Sequence, residues 1–286
     1  MALSQSTELS GRVCIVTGSN TGIGKEIARG LAAKGSTVVL ACRDTSKGEV
    51  AAEEIRRSTQ SERVSVMEFD AASQASIRQF AAAFKKREAF LHVLVNNAGI
   101  WTEKREVTVD GIEKTWATNV IGYFLLTECL RDVLAASGPS RVVSVASAKA
   151  GGLKLSDVEF ANRKYNGVAA YEQSKQANRM WTWALARRLD RTRVTANALH
   201  PGVINSEIAK RNPGLFGFAA ATYFSLLGKS VEEGADTPLW LATSEEVEGV
   251  TGKFFAARTE RSCKFRNELE EERLWALLER QTSIRL

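Results

Sequence analysis

Tyr171 and Lys175 lie four residues apart within residues 170–189, a stretch of helical composition, so both side chains project from one helix face. A cation held beside a phenol favours the phenolate, and opposite charges this close move a pKa by about 1–3 units. Tyr171 is therefore a candidate acid/base near neutral pH, with Lys175 as the group that tunes it. The same spacing also describes a half-buried ring with a lysine stem laid along apolar surface. Two further polar residues bear on the choice. Ser147 follows an apolar run in Val145-Ala146-Ser147-Ala148, and Asn119 falls in Thr118-Asn119-Val120. A strand-end serine can simply close a turn, and an asparagine can simply satisfy buried backbone. Ser144 is a competing hydroxyl, but it lies inside the apolar run.

A second constellation suits anion binding. Thr17-Gly18-Ser19-Asn20-Thr21-Gly22-Ile23-Gly24 closes a short apolar run and opens a segment, 25–33, of helical character. Glycines allow a tight turn and bring backbone close to a pyrophosphate, while the free N–H groups and positive end of the following helix favour the anion. The spacing is GxxxGxG rather than GxGxxG. About twenty residues on, an acidic residue would hold the ribose 2′-hydroxyl of NAD(H). The chain there reads Ala41-Cys42-Arg43-Asp44. Arg43 offers a planar guanidinium to a 2′-phosphate, which favours NADP(H) over NAD(H). Arg43 also reads as a solvated surface residue, and Asp44 either meets a ribose or caps the next helix.

These side chains need elements to hold them. Apolar runs of strand length at 12–17, 37–42, 64–69, 93–95, 141–144 and 194–199 alternate with segments of helical period. Runs rich in Val and Ile with little alternation imply strands covered on both faces, joined by right-handed helical crossovers. The expected fold class is α/β: a doubly wound, mainly parallel sheet of about seven strands with helices on both faces. Residues 252–256 would add the edge strand, and 267–281 reads as an amphipathic helix with Leu269, Trp275 and Leu278 inward. No internal repeat or linker divides the chain, so one domain is expected over residues 1–286.

Composition narrows the function classes. The chain has 286 residues, 44% hydrophobic, with a net charge of +6 from basic residues that are scattered rather than gathered. That argues against nucleic-acid binding while still attracting anionic cofactors. Cys14, Cys42, Cys129 and Cys263 form no CxxC pair, and His92 and His200 complete no cluster with them. Neither a metal site nor a disulfide framework is expected. The opening MALSQSTELSG lacks the basic flank and apolar run of a signal peptide. No transmembrane segment of about 18–20 apolar residues is present, so a soluble, cytoplasmic protein is expected.

Taken in order, the motifs resemble those of the short-chain dehydrogenase/reductase family over essentially the whole chain. They are TGSNTGIG at 17–24, Asp70 after the third strand, NNAG at 96–99, Asn119, Ser147, YEQSK at 171–175 and Pro201-Gly202 after the sixth strand. NTGIGKEIA, LACRD, the long gap between Ser147 and Tyr171, and the SVEEGA and GKFF segments are similar to the retinol-dehydrogenase-like branch. The resemblance implies a Rossmann fold and an NADP(H)-dependent oxidoreductase that interconverts an aldehyde or ketone and its alcohol. It implies Tyr171 as general acid/base, Ser147 bonded to the same substrate oxygen, Lys175 on the nicotinamide ribose and lowering the tyrosine pKa, and Asn119 holding a relay water. Asp70 and Ala71 would meet the adenine, and Asn97, Ala98 and Gly99 the adenosine-side ribose. Pro201, Gly202, Val203 and Ile204 would meet the carboxamide end, with Ser206 standing where the family commonly has a cofactor-binding threonine. Asp70 reads equally as a helix cap, and Trp101, Trp181 and Trp183 as core or pocket wall.

Residues 208–228, within a lid segment of about 205–230, carry Leu215, Phe216, Phe218, Tyr223 and Phe224 where the family places its substrate cover. An apolar lid implies an apolar substrate such as a long aldehyde, retinoid, steroid or aromatic ketone. The same residues suit a subunit interface or core, and the family's habit implies a homo-oligomer. Many animal members of the retinol-type branch carry an N-terminal membrane anchor, whereas this chain begins at the first strand, which weakens a retinoid assignment. Two other functions fit parts of the pattern. A non-catalytic NADP(H)-binding sensor or scaffold would need only the glycine turn. A sugar epimerase or dehydratase would need a larger C-terminal domain than the stretch after Gly202 provides.

Overall fold

The computed structural model describes residues 9–189, 192–204 and 229–284. Strands β1 (Val13–Thr17), β2 (Thr37–Cys42), β3 (Val64–Glu68) and β4 (Val93–Asn96) alternate with helices α1 (Gly22–Ala33), α2 (Thr45–Thr59) and α3 (Gln74–Arg87). A longer helical passage follows, made of α4 (Lys114–Trp116), a π-helical turn (Ala117–Ile121), α5 (Gly122–Cys129) and α6 (Arg131–Ser137). Beyond it come β5 (Ser140–Val145), α7 (Gly167–Arg188), β6 (Val194–His200), α8 (Val231–Thr243), β7 (Phe254–Ala256), β8 (Thr259–Glu260) and α9 (Glu268–Thr282).

The strands form one sheet in the order β3-β2-β1-β4-β5-β6-β7-β8. All neighbours are parallel except the final β7–β8 pair. Because successive side chains on a strand point to opposite faces, the strands feed two cores. Val13 and Ile15 of β1 pack with α3, α5, α7 and α9 on one face. Cys14 and Val16 pack with α1, α2 and α8 on the other. Chain order reverses between β1 and β4, and such a switch point opens a crevice at the strands' carboxyl ends.

The α/β architecture matches the expectation of a mainly parallel sheet of about seven strands. The sheet has eight, and β7 is interior rather than the edge, because β8 folds back on it through Phe255 and Ala256. The hairpin turn uses Ala257 and Arg258, both at positive φ, where Gly or Asn would ordinarily signal a turn. Tertiary contacts hold it instead: Arg258 pairs with Asp236, and its backbone N–H donates to Thr237 Oγ1 at 3.3 Å. In α9, Leu269 is 62% exposed rather than inward. The buried stripe runs Glu271, Leu274, Trp275, Leu278 and Thr282, because Arg187 draws the Glu271 carboxylate into the interface.

The last helix is stitched to distant parts of the chain. Trp275 meets Phe124 edge to face at 4.9 Å, and the Arg188 guanidinium lies 4.0 Å over its ring. Gln281 accepts from Trp116 Nε1 at 3.0 Å through its side chain and from Gln74 Nε2 at 3.0 Å through its carbonyl, and donates to Glu159 at 3.2 Å. Trp275→Ala is expected to cost about 3–5 kcal/mol in urea denaturation, since it empties a site with almost no solvent exposure. A loss under about 1 kcal/mol would show that α9 is not part of the cooperative core.

Candidate active site

A cleft of about 490 Å³ opens at the switch point. Its floor is the turn between β1 and α1, held by two close backbone approaches. A Cβ on Gly18 would lie 2.8 Å from Ala98 Cα, and one on Gly24 would lie 2.5 Å from Gly18 O. Thr17 Oγ1 accepts from the N–H groups of Asn97 and Ala98 at 2.9 and 3.0 Å, and Asn97 Nδ2 donates back to Thr17 O at 2.9 Å. Ser19 is buried under the turn, donating to Val16 O at 2.7 Å.

The residues present fit a dinucleotide. Helices α2, α3, α7, α8 and α9 each begin on a side-chain cap. At α1, Thr21 makes no such bond and the first turn carries no acid. Its unsatisfied N–H groups and positive dipole end therefore face the cleft, which is the environment a pyrophosphate requires. The Thr118 hydroxyl on the cleft wall is buried with no partner among the described residues. At the outer lip, Arg43 is exposed and bonds to no described residue. Asp44 is engaged, accepting from Lys47 N at 3.0 Å to cap α2 and pairing with the Lys47 amine at 3.1 Å.

A second cluster lies at the cleft's inner end. The π turn directs Asn119 at the loop after β4: its Oδ1 accepts from Ile100 N–H at 2.8 Å, and its Nδ2 donates to Ile100 O and Ser174 Oγ, each at 3.0 Å. Such turns often mark functional sites. Helix α7, capped by Asn166, carries Tyr171 and Lys175. The Lys175 amine is buried, donates to Val145 O at 2.9 Å and lies 5.7 Å from the Tyr171 ring centre. Burial pushes its pKa down to about 7. Burial also raises the Tyr171 phenol above its ordinary value, partly offset by a hydrogen bond with Ser147. Ser147 Oγ further accepts from Lys149 N at 3.1 Å. His200 is pushed down to about 4 by burial and by nearby Arg179 and Lys229, and its neutral ring accepts from Gly202 N–H at 3.3 Å. The cleft and this cluster meet at Gly99, where an added Cβ would sit 3.5 Å from both Asn119 Oδ1 and Lys175 Nζ.

Comparison with known proteins agrees with this geometry. The profile described as short chain dehydrogenase matches residues 12–213. The chain belongs to the short-chain dehydrogenase family. Retinol dehydrogenase 13 of Mus musculus is 42% identical over 275 residues, covering 93% of this chain and 82% of that protein. Retinol dehydrogenase 12 of Homo sapiens is 42% identical over 272 residues, covering 94% and 85%. An uncharacterised protein from Mycobacterium paratuberculosis superposes with a TM-score of 0.77 at 33% identity, covering 97% of this chain and 95% of that one. A short-chain dehydrogenase from Burkholderia cenocepacia in complex with NADP gives 0.69 at 25% identity, covering 87% and 96%. The chain is thus an oxidoreductase of the retinol-dehydrogenase-like kind, in a family that binds nicotinamide dinucleotides and acts on small molecules.

Most of the residues singled out from the sequence surround this dehydrogenase's cleft. Gly18, Asn20, Thr21, Gly22, Ile23, Gly24, Arg43, Asp70, Ala71, Asn97, Ala98 and Gly99 line it, while Ser19 braces the turn from below. Asp70 accepts from Ala72 N at 2.9 Å, leaving Ser73 to cap α3. Beyond β6, Val203 is exposed, whereas Ile204 is buried against Gly234 of α8. Ser206 and residues 208–228 lie outside the described residues. Ser144 is fully buried in β5, and its hydroxyl has no partner among the described residues. Trp181 and Trp183 are core. Sequence reasoning missed Lys47, Phe69, Ile100, Lys114 and Thr118 on the walls. Phe69, Ile100 and Thr118 sit next to recognised positions, but Lys114 arrives on a helix from far along the chain and carries no local signal. Among the described residues no helix is long and apolar enough to cross a membrane, and no metal-binding cluster is found.

Two outcomes test this geometry. Gly24→Ala drives a methyl into Gly18 O, so dinucleotide affinity, read by tryptophan fluorescence, should fall by about tenfold or more. Unchanged affinity would mean the turn does not cradle the ligand. Lys175, at about 7 folded against about 10.4 in an unfolded chain, binds fewer protons in the native state between those values. Stability of the ligand-free protein should therefore gain from this group as pH rises from about 7 to 10, and Lys175→Met should flatten that rise in thermal melts.

Proposed function

We propose that the chain is an NADP(H)-dependent oxidoreductase that interconverts an apolar aldehyde or ketone and its alcohol, with Tyr171 as general acid/base. The observation that carries the reading is the meeting of cleft and side-chain cluster at Gly99, where an added Cβ would sit 3.5 Å from Lys175 Nζ and Asn119 Oδ1. A nicotinamide dinucleotide held in the cleft supplies or takes the hydride. The chain's own residues handle the proton and the substrate oxygen.

Tyr171, held above its ordinary pKa, is fully protonated at neutral pH and can donate to a carbonyl oxygen as charge develops there. Ser147, near enough to that phenol to lower its pKa, donates to the same oxygen. Lys175, near 7 in the ligand-free site, becomes the cationic partner that draws the phenol's pKa down once a ribose hydroxyl accepts from its amine. The oxidative direction then needs higher pH, because the phenol must first lose its proton. Asn119 binds both polar groups of Ile100 and so holds the loop after β4 against α7.

Preference for NADP(H) is supported by the unpaired Arg43 at the lip and by the engagement of Asp44 in capping α2. The apolar substrate class is supported by the composition of residues 208–228 and by relatives named for retinol, an apolar alcohol. The test is the change in reduced-nicotinamide absorbance with NADPH or NADH and carbonyls graded from small and polar to long and apolar. Turnover should favour NADPH and the apolar end. Tyr171→Phe should lower kcat by roughly 10²–10⁴-fold while NADPH still binds. Arg43→Glu should weaken NADPH by about 10–100-fold, the worth of a charged hydrogen bond, and leave NADH little changed. Tight NADPH binding without turnover on any carbonyl would sink the catalytic reading.

A further inference from the structure

Arg179 follows Lys175 by one helical turn and Tyr171 by two, on the same face of α7. Its side chain is buried, and no carboxylate pairs with it among the described residues. One terminal nitrogen donates to the main-chain oxygen of Ser147, the other to Cys263 Sγ at 3.3 Å, and Nε is left without a partner. The guanidinium lies 3.8 Å over the Phe254 ring and 5.6 Å from that of Phe265. A buried cation with no counter-charge is costly, and a hydrocarbon of similar volume is often as stable or more so. Cation–π contacts offset part of that cost, but packing alone would be served by leucine.

The position of Ser147 supplies a reason. The last ladder bond of β5 runs from Ala146 N to Leu199 O, so Ser147 is the first residue beyond the sheet. Its carbonyl has no strand partner, and the peptide after it would be free to rotate. The serine hydroxyl must nevertheless be held where it accepts from Lys149 N–H at 3.1 Å and stays near enough to the Tyr171 phenol to lower its pKa.

We propose that Arg179 is a positioning residue for the reaction: by fixing the Ser147 carbonyl at the end of β5, it aims the Ser147 hydroxyl at Tyr171 and at the substrate oxygen. The role rests on the catalytic reading of Ser147 and Tyr171. Arg179 touches neither substrate nor cofactor in this assignment; it acts through the peptide plane between Ser147 and Ala148.

The experiment is a double-mutant cycle in the full chain. Ser147→Ala is measured first, and must itself lower kcat. Parent-level turnover in that variant would overturn the catalytic reading and, with it, the positioning role. Arg179→Leu is then made in both backgrounds, with thermal denaturation and NADPH affinity by fluorescence measured alongside. In the Ser147 background kcat should fall roughly tenfold to hundredfold, the cost of a misplaced hydroxyl, with NADPH affinity retained and with partial rescue by Arg179→Lys. In the Ser147→Ala background the same substitution should change residual turnover by less than about twofold, since no hydroxyl remains to be aimed. Equal losses in the two backgrounds, or no loss in either, would overturn the positioning role while leaving the catalytic reading intact. Should the leucine variant fail to fold, Arg179→Met, which keeps the length of the side chain and removes the donors, provides the same comparison.

Discussion

One backbone contact governs the site: the end of β1 lies against the loop after β4 with no room for a side chain at Gly18. The Thr17 hydroxyl locks that contact by accepting two successive N–H groups from Asn97 and Ala98. Everything on either side follows from it. Toward the lip, the turn leaves the first N–H groups of α1 uncapped and facing an open cleft. Toward the interior, it sets the path of Gly99 and Ile100, which Asn119 grips by both backbone groups. The uncapped start of α1 and the cluster of Tyr171, Lys175 and Asn119 are thus two ends of one short stretch of chain.

The charged and basic side chains of this cluster have no carboxylate partner among the described residues. Lys175 and Arg179 donate to the main-chain carbonyls of Val145 and Ser147 at the end of β5, and the neutral His200 ring at the end of β6 accepts from Gly202 N–H. Burial of this kind holds the lysine and histidine low and the phenol high. Lys175, at about 7, is therefore the group whose charge a change of partner can alter near neutral pH, because low dielectric magnifies every charge. Under the proposed chemistry, negative charge growing on a substrate oxygen meets an environment short of competing anions.

Much of this was legible in the residues themselves. The six main strands, the glycine turn and the Tyr171–Lys175 face all follow from local pattern, since each depends on neighbours within a few positions. What escaped notice depends on distant partners. The β7–β8 hairpin turns through Ala257 and Arg258, whose positive φ is held by Asp236 and Thr237 rather than by turn-forming residues. Glu271, a carboxylate whose polarity argues for solvent although it shares the helix face of Trp275 and Leu278, is buried beside Arg187, and Leu269 is exposed. Asp44 was open between two uses until the cap on α2 decided it. Lys114 and Thr118 enter the cleft wall only because the helix carrying the π turn packs across the switch point.

The knot of bonds around Gln281 bears on the order in which the molecule can be completed. Its partners, Gln74, Trp116 and Glu159, belong to α3, to the helix leading into the π turn and to the loop between Ser147 and α7. Chains emerge from the ribosome N-terminus first, and contacts spanning large sequence separations form slowly. The first βαβ units can therefore assemble early, while the loop flanking Ser147 waits for residues synthesised more than a hundred positions later. A dinucleotide cradle would exist on the nascent chain before the chemistry beside it is in register, and a truncated product could hold ligand without the means to use it.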